Sequence, residues 1–224
     1  MAGRVLVITG AFGVLGSAVA RAAAGQGARL GLIDFAKDGP APDGALVLGG
    51  VDLADPAQAA RAMDAVAAKF GGIDALLNIA GGFVWQTVAD GDAKAWDRMF
   101  TLNLKTALNA TKAALPFLIE AKGAIVSVGA NAALSAGAGM GAYTASKAGI
   151  HKLTESLAQE MKGKVRVNAV LPSIIDTPQN RKDMPKTDPS IWVKPNELAK
   201  AMLFLASDDA SAITGALVPI VGRV

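Results

Sequence analysis

Short β-type apolar runs alternate with longer helix-period stretches along the whole chain, and this alternation limits the fold more than any other feature. RVLVIT (4–9), ARLGLID (28–34), ALVLGGVD (45–52), IDALLNIAGG (73–82), GAIVSVG (123–129), VRVNAVL (165–171) and ALVPIV (216–221) read as strands. Helical stretches run from Leu15 to Gln26, from Asp55-Pro56 onward, from Ala93 to Ala121 with a bend at Pro116, from Tyr143 to Lys162 and from Asn196 to Ser207. Asp55 before Pro56 is a capping carboxylate ahead of a proline at the first helical position. Strands alternating with helices imply right-handed crossovers, so the expected fold is α/β: a doubly wound, parallel sheet of about seven strands with helices on both faces. No internal repeat or composition break divides it, and residues 1–224 read as a single domain. Its ligand belongs at the carboxyl ends of the strands. The long Pro-rich segment 172–195 reads as a substrate-side loop or lid over that edge.

Composition narrows the chemistry. Apolar residues make up 52% of the chain and charged residues 18%, which suits a buried core and excludes disorder. The net charge of +3 is scattered without a basic run, so no nucleic-acid partner is expected. Cysteine is absent and His151 is the one histidine, which removes disulfides, thiol catalysis and the usual metal-ligand sets; no metal is expected. The longest uncharged stretch, Gly123 to Ser146, holds five glycines and opens with a strand, so it is not read as a membrane span. With an apolar strand under way by Arg4 and no leader ahead of it, the expectation is a soluble, cytoplasmic protein.

Thr9-Gly10-Ala11-Phe12-Gly13-Val14-Leu15-Gly16 separates the first strand from an Ala-rich helix. Three glycines at a spacing of three allow a tight turn, close approach of backbone to phosphate, and tight helix–strand packing, while the helix N-terminus offers free N–H groups to a pyrophosphate. Thr9, Gly10, Phe12, Gly13, Val14, Leu15 and Gly16 are therefore candidate cofactor-binding residues. Asp34 ends the second strand 18 residues after Gly16, where a carboxylate accepts hydrogen bonds from ribose hydroxyls and repels a 2′-phosphate. The expected cofactor is thus NAD(H) rather than NADP(H). Asp52 ends the third strand and reads either as a ligand of the adenine amino group or as a local turn acid, and Leu53 next to it is a further candidate cofactor contact.

Tyr143-Thr144-Ala145-Ser146-Lys147 places the chain's one tyrosine and a lysine four apart on one helix face. A free phenol has a pKa near 10 and is a poor acid–base group at neutral pH; a nearby ammonium, together with a positive nicotinamide ring, lowers that value by stabilising the phenolate. Phe83, Trp85, Met140 and Trp192 are candidate pocket-lining residues suited to a flat acceptor, whereas Trp96 suits packing or an interface. Arg181, Lys182 and Lys186 read as solvated and His151 as structural.

TGAFGVLG (9–16), Asp34, NIAGG (78–82), Asn103, YTASK (143–147) and LPSIIDTP (171–178) together resemble the short-chain dehydrogenase/reductases, over essentially the whole chain. The resemblance implies a Rossmann-type fold and an NAD(P)-dependent oxidoreductase acting on a small-molecule substrate. It implies Tyr143 as proton donor, Lys147 as its activator and nicotinamide-ribose ligand, and Asn103 as anchor of a proton relay. Asn78, Ala80 and Gly81 would back the cofactor, and Pro172, Ile175 and Thr177 would meet its carboxamide. A homodimer or homotetramer is expected through the helices at 93–121 and 143–162.

Three departures stand out. The glycines read G-x-x-G-x-x-G, Ser173 replaces the usual glycine after Pro172, and the family's serine, thirteen residues before the tyrosine, is Ala130. GANAALSAGAGMGAYTASK (129–147) and DTPQNRKDMP (176–185) followed by Trp192 are similar to the dihydropteridine reductase group. That resemblance implies NADH and a conjugated imine-like acceptor such as quinonoid dihydropterin; separately, its place after Pro172 makes Ser173 a candidate for the missing hydroxyl. The alternatives are an ordinary ketone/alcohol dehydrogenase and, in another class, a non-catalytic NAD-binding regulatory protein.

Overall fold

The computed structural model describes residues 1–223. Seven parallel strands form one sheet: β1 (Val5–Thr9), β2 (Arg29–Ile33), β3 (Leu46–Leu48), β4 (Ala75–Asn78), β5 (Ala124–Val128), β6 (Arg166–Pro172) and β7 (Leu217–Ile220), in the order β3-β2-β1-β4-β5-β6-β7. The expected parallel sheet is therefore present, although β3 is only three residues long. The order reverses direction between β1 and β4, which opens a crevice above their carboxyl ends.

Alternation along each strand builds two cores. On β1, Leu6 and Ile8 face one layer with Leu15 and Val19 of α1 (Val14–Ala24). The same layer takes Leu198 and Met202 of α7 (Pro195–Ala206), which begins at a proline and packs beside α1. Val5 and Val7 face the other layer with Met63 and Val66 of α2 (Pro56–Phe70), Ala110 and Leu118 of α4 (Thr106–Glu120), and Leu157 of α5 (Gly141–Glu160). Period two on a strand sends neighbouring side chains to opposite faces, so short continuous apolar runs serve both layers at once. Asp55 caps α2 as expected, its carboxylate accepting from Ala57 and Gln58 N–H, and Gly71 closes the helix in the left-handed conformation at φ +87°.

The stretch read as one helix bent at Pro116 is different. α3 (Ala93–Met99) passes into a π-helical turn at Phe100–Lys105 and then into α4, while Pro116 lies inside α4. The irregularity falls at Asn103, whose side chain bonds to the backbone of another segment, so a tertiary contact decides its position. Segment 172–195 is also more ordered than a free lid. It contains α6 (Pro178–Asp183), and Ile175 bridges to Val193 through Asp176 N–H to Val193 C=O and Val193 N–H to Ile174 C=O.

Candidate active site

Thr9, Asn78 and Ser127 lie in one register row across β1, β4 and β5, all buried at the carboxyl edge of the sheet. Thr9 Oγ1 accepts the N–H groups of Ile79 (3.0 Å) and Ala80 (3.1 Å), so it fixes the exit of β4 rather than facing the crevice. Asn78 Nδ2 donates to Thr111 Oγ1 at 3.0 Å, and its Oδ1 has no partner. Thr111, on α4, was not singled out from the sequence; it lies two helical turns beyond Asn103.

The glycine loop suits an anionic dinucleotide on structural grounds. Gly10 has φ +63°, and a Cβ there would lie 2.8 Å from the Ala80 backbone; a Cβ on Gly16 would overlap the Gly10 carbonyl. Gly13 precedes α1 without any side-chain cap, and the first turn carries no acid, so an incoming phosphate meets N–H groups and the positive end of the helix dipole. Val14 is exposed there and Leu15 is buried beneath it. Asp34 reaches back across the loop: Oδ2 accepts Phe12 N–H and Oδ1 accepts Ala36 N–H, both at 2.9 Å. Asp52 is tied up locally, its Oδ1 accepting Ala54 N–H at 2.8 Å. Leu53 is buried, and its carbonyl accepts from Asn109 Nδ2 at 2.9 Å.

At the other half of the crevice, α5 supplies Tyr143 and Lys147. Lys147 is buried and its Nζ donates to Val128 C=O at 2.7 Å. Asn103 Oδ1 accepts Gly82 N–H at 2.9 Å while Nδ2 donates to Gly82 C=O at 3.1 Å and to Ser146 Oγ at 3.0 Å. Ser146 Oγ in turn donates to Tyr143 C=O at 2.7 Å. Asn103 thus ties the loop after β4, which includes Gly81, to the turn of α5 that carries Tyr143 and Lys147. Ser146 escaped the sequence reading; its place between Tyr143 and Lys147 was the available signal.

Burial pushes the Tyr143 phenol up to about 12 and brings the Lys147 ammonium down to about 8. The expected acidity of the phenol rests on Lys147 together with a positive nicotinamide ring, and these shifts belong to the chain without that ring. In the chain alone, loss of water around both groups outweighs the attraction of an ammonium engaged with a carbonyl.

The substrate-side residues divide. The Phe83 ring meets the Tyr143 ring edge-on at 5.0 Å, and both Phe83 and Trp85 are more than half exposed. Trp85 Nε1 donates to Ala138 C=O at 3.0 Å, and Gln86 N–H donates to Gly139 C=O at 2.8 Å, so the loops flanking the site are joined. Met140 precedes α5 and is partly buried. Trp192 corrects its expectation: it is fully buried with Nε1 unpartnered, and so supports the 172–195 segment from beneath instead of lining a pocket. Ser173 is corrected as well, because its Oγ donates to Val221 C=O at 2.8 Å, anchoring the chain after β7. Thr177 Oγ1 accepts Asn180 N–H as the cap of α6, and the Ile175 carbonyl accepts from Asn180 Nδ2. Arg181 is paired with Asp176 rather than simply solvated. Pro172 ends β6, and Ala130 is buried directly after β5.

Among the described residues, no cluster of His, Asp or Glu could hold a metal, and no helix is long and apolar enough to cross a membrane. Residues 10–222 match the family model described as enoyl-(acyl carrier protein) reductase. The chain is 35% identical to meso-2,3-butanediol dehydrogenase of Serratia marcescens, covering 98% of this chain and 93% of that protein. It is 36% identical to D-threitol dehydrogenase of Mycolicibacterium smegmatis, over 96% and 90% of the two chains. The ligand-free aldohexose dehydrogenase of Thermoplasma acidophilum superposes with a TM-score of 0.88 at 29% identity, covering 98% of this chain and 93% of that one. A parallel sheet opened at its switch point, a glycine loop below it and relatives matched over nearly their full length lead to one conclusion: the chain belongs to the short-chain dehydrogenase/reductase family of oxidoreductases.

Proposed function

We propose that the protein is an NAD(H)-dependent oxidoreductase that interconverts a small ketone and its alcohol, with Tyr143 as the proton-transferring group. The observation that carries this reading is the Asn103–Gly82–Ser146–Tyr143 network beside a glycine loop built for close backbone approach. A bound nicotinamide dinucleotide supplies the hydride in one direction and accepts it in the other. Gly10, Gly13 and Gly16 would hold its pyrophosphate, Asp34 its adenosine ribose, and Lys147 the second ribose, with Ile175 and Thr177 toward the carboxamide. In reduction Tyr143 Oη gives its proton to the substrate oxygen, and in oxidation the phenolate takes it back. Lys147, brought down to about 8, releases a proton more readily than an ordinary lysine and suits a role in resupplying Tyr143. Exposed Trp96, Phe100 and Leu108 support association into a homodimer or homotetramer.

A second reading, a conjugated imine-like acceptor such as quinonoid dihydropterin, rests on Ala130. A ketone oxygen gains charge at one atom and profits from a hydroxyl donor there, whereas a conjugated ring spreads that charge. Names of relatives that act on diols and polyols favour the ketone/alcohol reading. Purified protein with NADH, assayed against small ketones and quinonoid dihydropterin, separates the two. Ketone turnover that rises in Ala130→Ser supports the first; dihydropterin turnover that is indifferent to Ala130→Ser supports the second. Absence of turnover with every acceptor in both directions would overturn both.

A further inference from the structure

Two side chains of α5 hold the segment that leaves β5. Lys147 Nζ donates to Val128 C=O at 2.7 Å, and one turn later His151 Nε2 accepts Ala130 N–H at 3.3 Å. Gly129, between them, donates its N–H to Val170 C=O at 2.9 Å. A Cβ on Gly129 would lie 2.6 Å from His151 Nε2 and 2.8 Å from Cδ2, so the ring has its seat only because residue 129 lacks a side chain. His151 is 4% exposed, which makes it a built contact rather than a surface one.

A nitrogen that accepts an N–H is unprotonated, so the ring is neutral and carries its proton on Nδ1. Burial holds its pKa below the ordinary histidine value; Glu155 pulls it back up, while Lys147 and Lys152 push it down. These charged neighbours all sit on α5, and the segment that packs on the ring after β5 presents Gly129 and Ala130, which do not titrate.

We propose that neutral His151 is a positioning residue for the reaction: it fixes the backbone of Ala130 where the chain leaves β5 at the carboxyl edge of the sheet, and its protonation releases that segment. The inference rests on the redox reading above. Because Ala130 offers no hydroxyl, the placement of this segment depends on its backbone, which His151, Lys147 and the Val170 carbonyl hold, and of these only His151 bonds Ala130 itself. Protonated Nε2 sets a donor against a donor in a buried place, leaving the Ala130 N–H without a partner. It also adds a cation one turn from Lys147.

His151 is the chain's one histidine, so imidazole ¹⁵N NMR on untagged protein reads it without ambiguity. The expected spectrum at pH 7.5 shows a protonated Nδ1, an unprotonated Nε2, and titration below the ordinary histidine value. A protonated Nε2 at that pH would overturn the proposal. His151→Gln keeps an acceptor and removes the titration; it should retain kcat within about threefold at pH 7.5 and lose the acid limb of the kcat profile. His151→Leu removes the acceptor and should lower kcat by about tenfold or more with the NADH Kd unchanged. An unaltered acid limb in His151→Gln, or wild-type kcat in His151→Leu, would also overturn it. If His151→Leu does not fold, the glutamine variant and the spectrum still decide. A wild-type protein without any turnover refutes the redox reading instead, and the spectrum remains a separate test of the His151–Ala130 contact.

Discussion

Asn103 and Gly82 hydrogen-bond each other twice, amide oxygen to N–H at 2.9 Å and amide nitrogen to carbonyl at 3.1 Å. This pair joins a π-helical turn to the loop after β4, and a third bond to Ser146 carries the link to the turn that bears Tyr143. Asn103 is 1% exposed, so nothing from solvent replaces these bonds. Asn103→Ala should destabilise the protein by about 1–3 kcal/mol, the usual range for orphaning buried polar groups. It should also lower kcat more than it weakens NADH binding. Urea unfolding and steady-state kinetics on the same preparation check both halves.

The two α5 groups titrate in opposite senses, and stability records both. Tyr143 is raised from 10.0 to about 12, so the unfolded chain loses its phenolic proton first and stability falls as pH rises from 10 toward 12. Lys147 is lowered from 10.5 to about 8, so stability rises as pH climbs from 8 to 10.5 and the buried amine sheds its charge. Thermal unfolding in the two-group window should therefore improve up to about pH 10 and decline above it. Lys147→Met should abolish the rise and keep the decline. Tyr143 is the sole tyrosine, so tyrosinate absorbance in the ligand-free protein should develop near pH 12, not 10.

Asp34 braces the glycine loop through Phe12 N–H and Ala36 N–H, and the proposed NAD(H) reading gives the same carboxylate the adenosine ribose. Asp34→Asn keeps an acceptor for one brace and removes the charge that repels a 2′-phosphate. Calorimetry should show NAD⁺ binding weakened and the NAD⁺/NADP⁺ preference reduced by about tenfold, equivalent to about 1.4 kcal/mol. Wild-type protein that binds NADP⁺ more tightly than NAD⁺ would contradict the assigned preference.

What the sequence showed and what it hid follow from the range of the interactions involved. Buried strands, the Asp55-Pro56 helix start and the glycine loop depend on neighbours within a few residues, and the alternation of strand and helix led directly to the seven-stranded sheet. Asn103 was visible as a motif residue, but the π turn around it was not, because a bond to Gly82 placed the irregularity there instead of at Pro116. Trp192 and Ser173 were read toward the substrate from their positions in a long polar segment. The bridge between Ile175 and Val193 and the bond from Ser173 to Val221 turn them inward, and both contacts join residues far apart or across a turn that composition does not reveal. His151 was read as structural, and only the fold shows that what it supports is Ala130.

In the proposed reaction Tyr143 moves the proton while a nicotinamide dinucleotide carries the hydride. Steady-state NADH oxidation by wild type and Tyr143→Phe, with the NADH Kd measured by calorimetry for each, tests it most directly. The phenylalanine variant should have a kcat lower by about 10²–10⁴, the usual contribution of a positioned proton donor, with the Kd changed by less than about threefold. Equal kcat values in the two proteins, or no heat on mixing wild type with NADH, would contradict it.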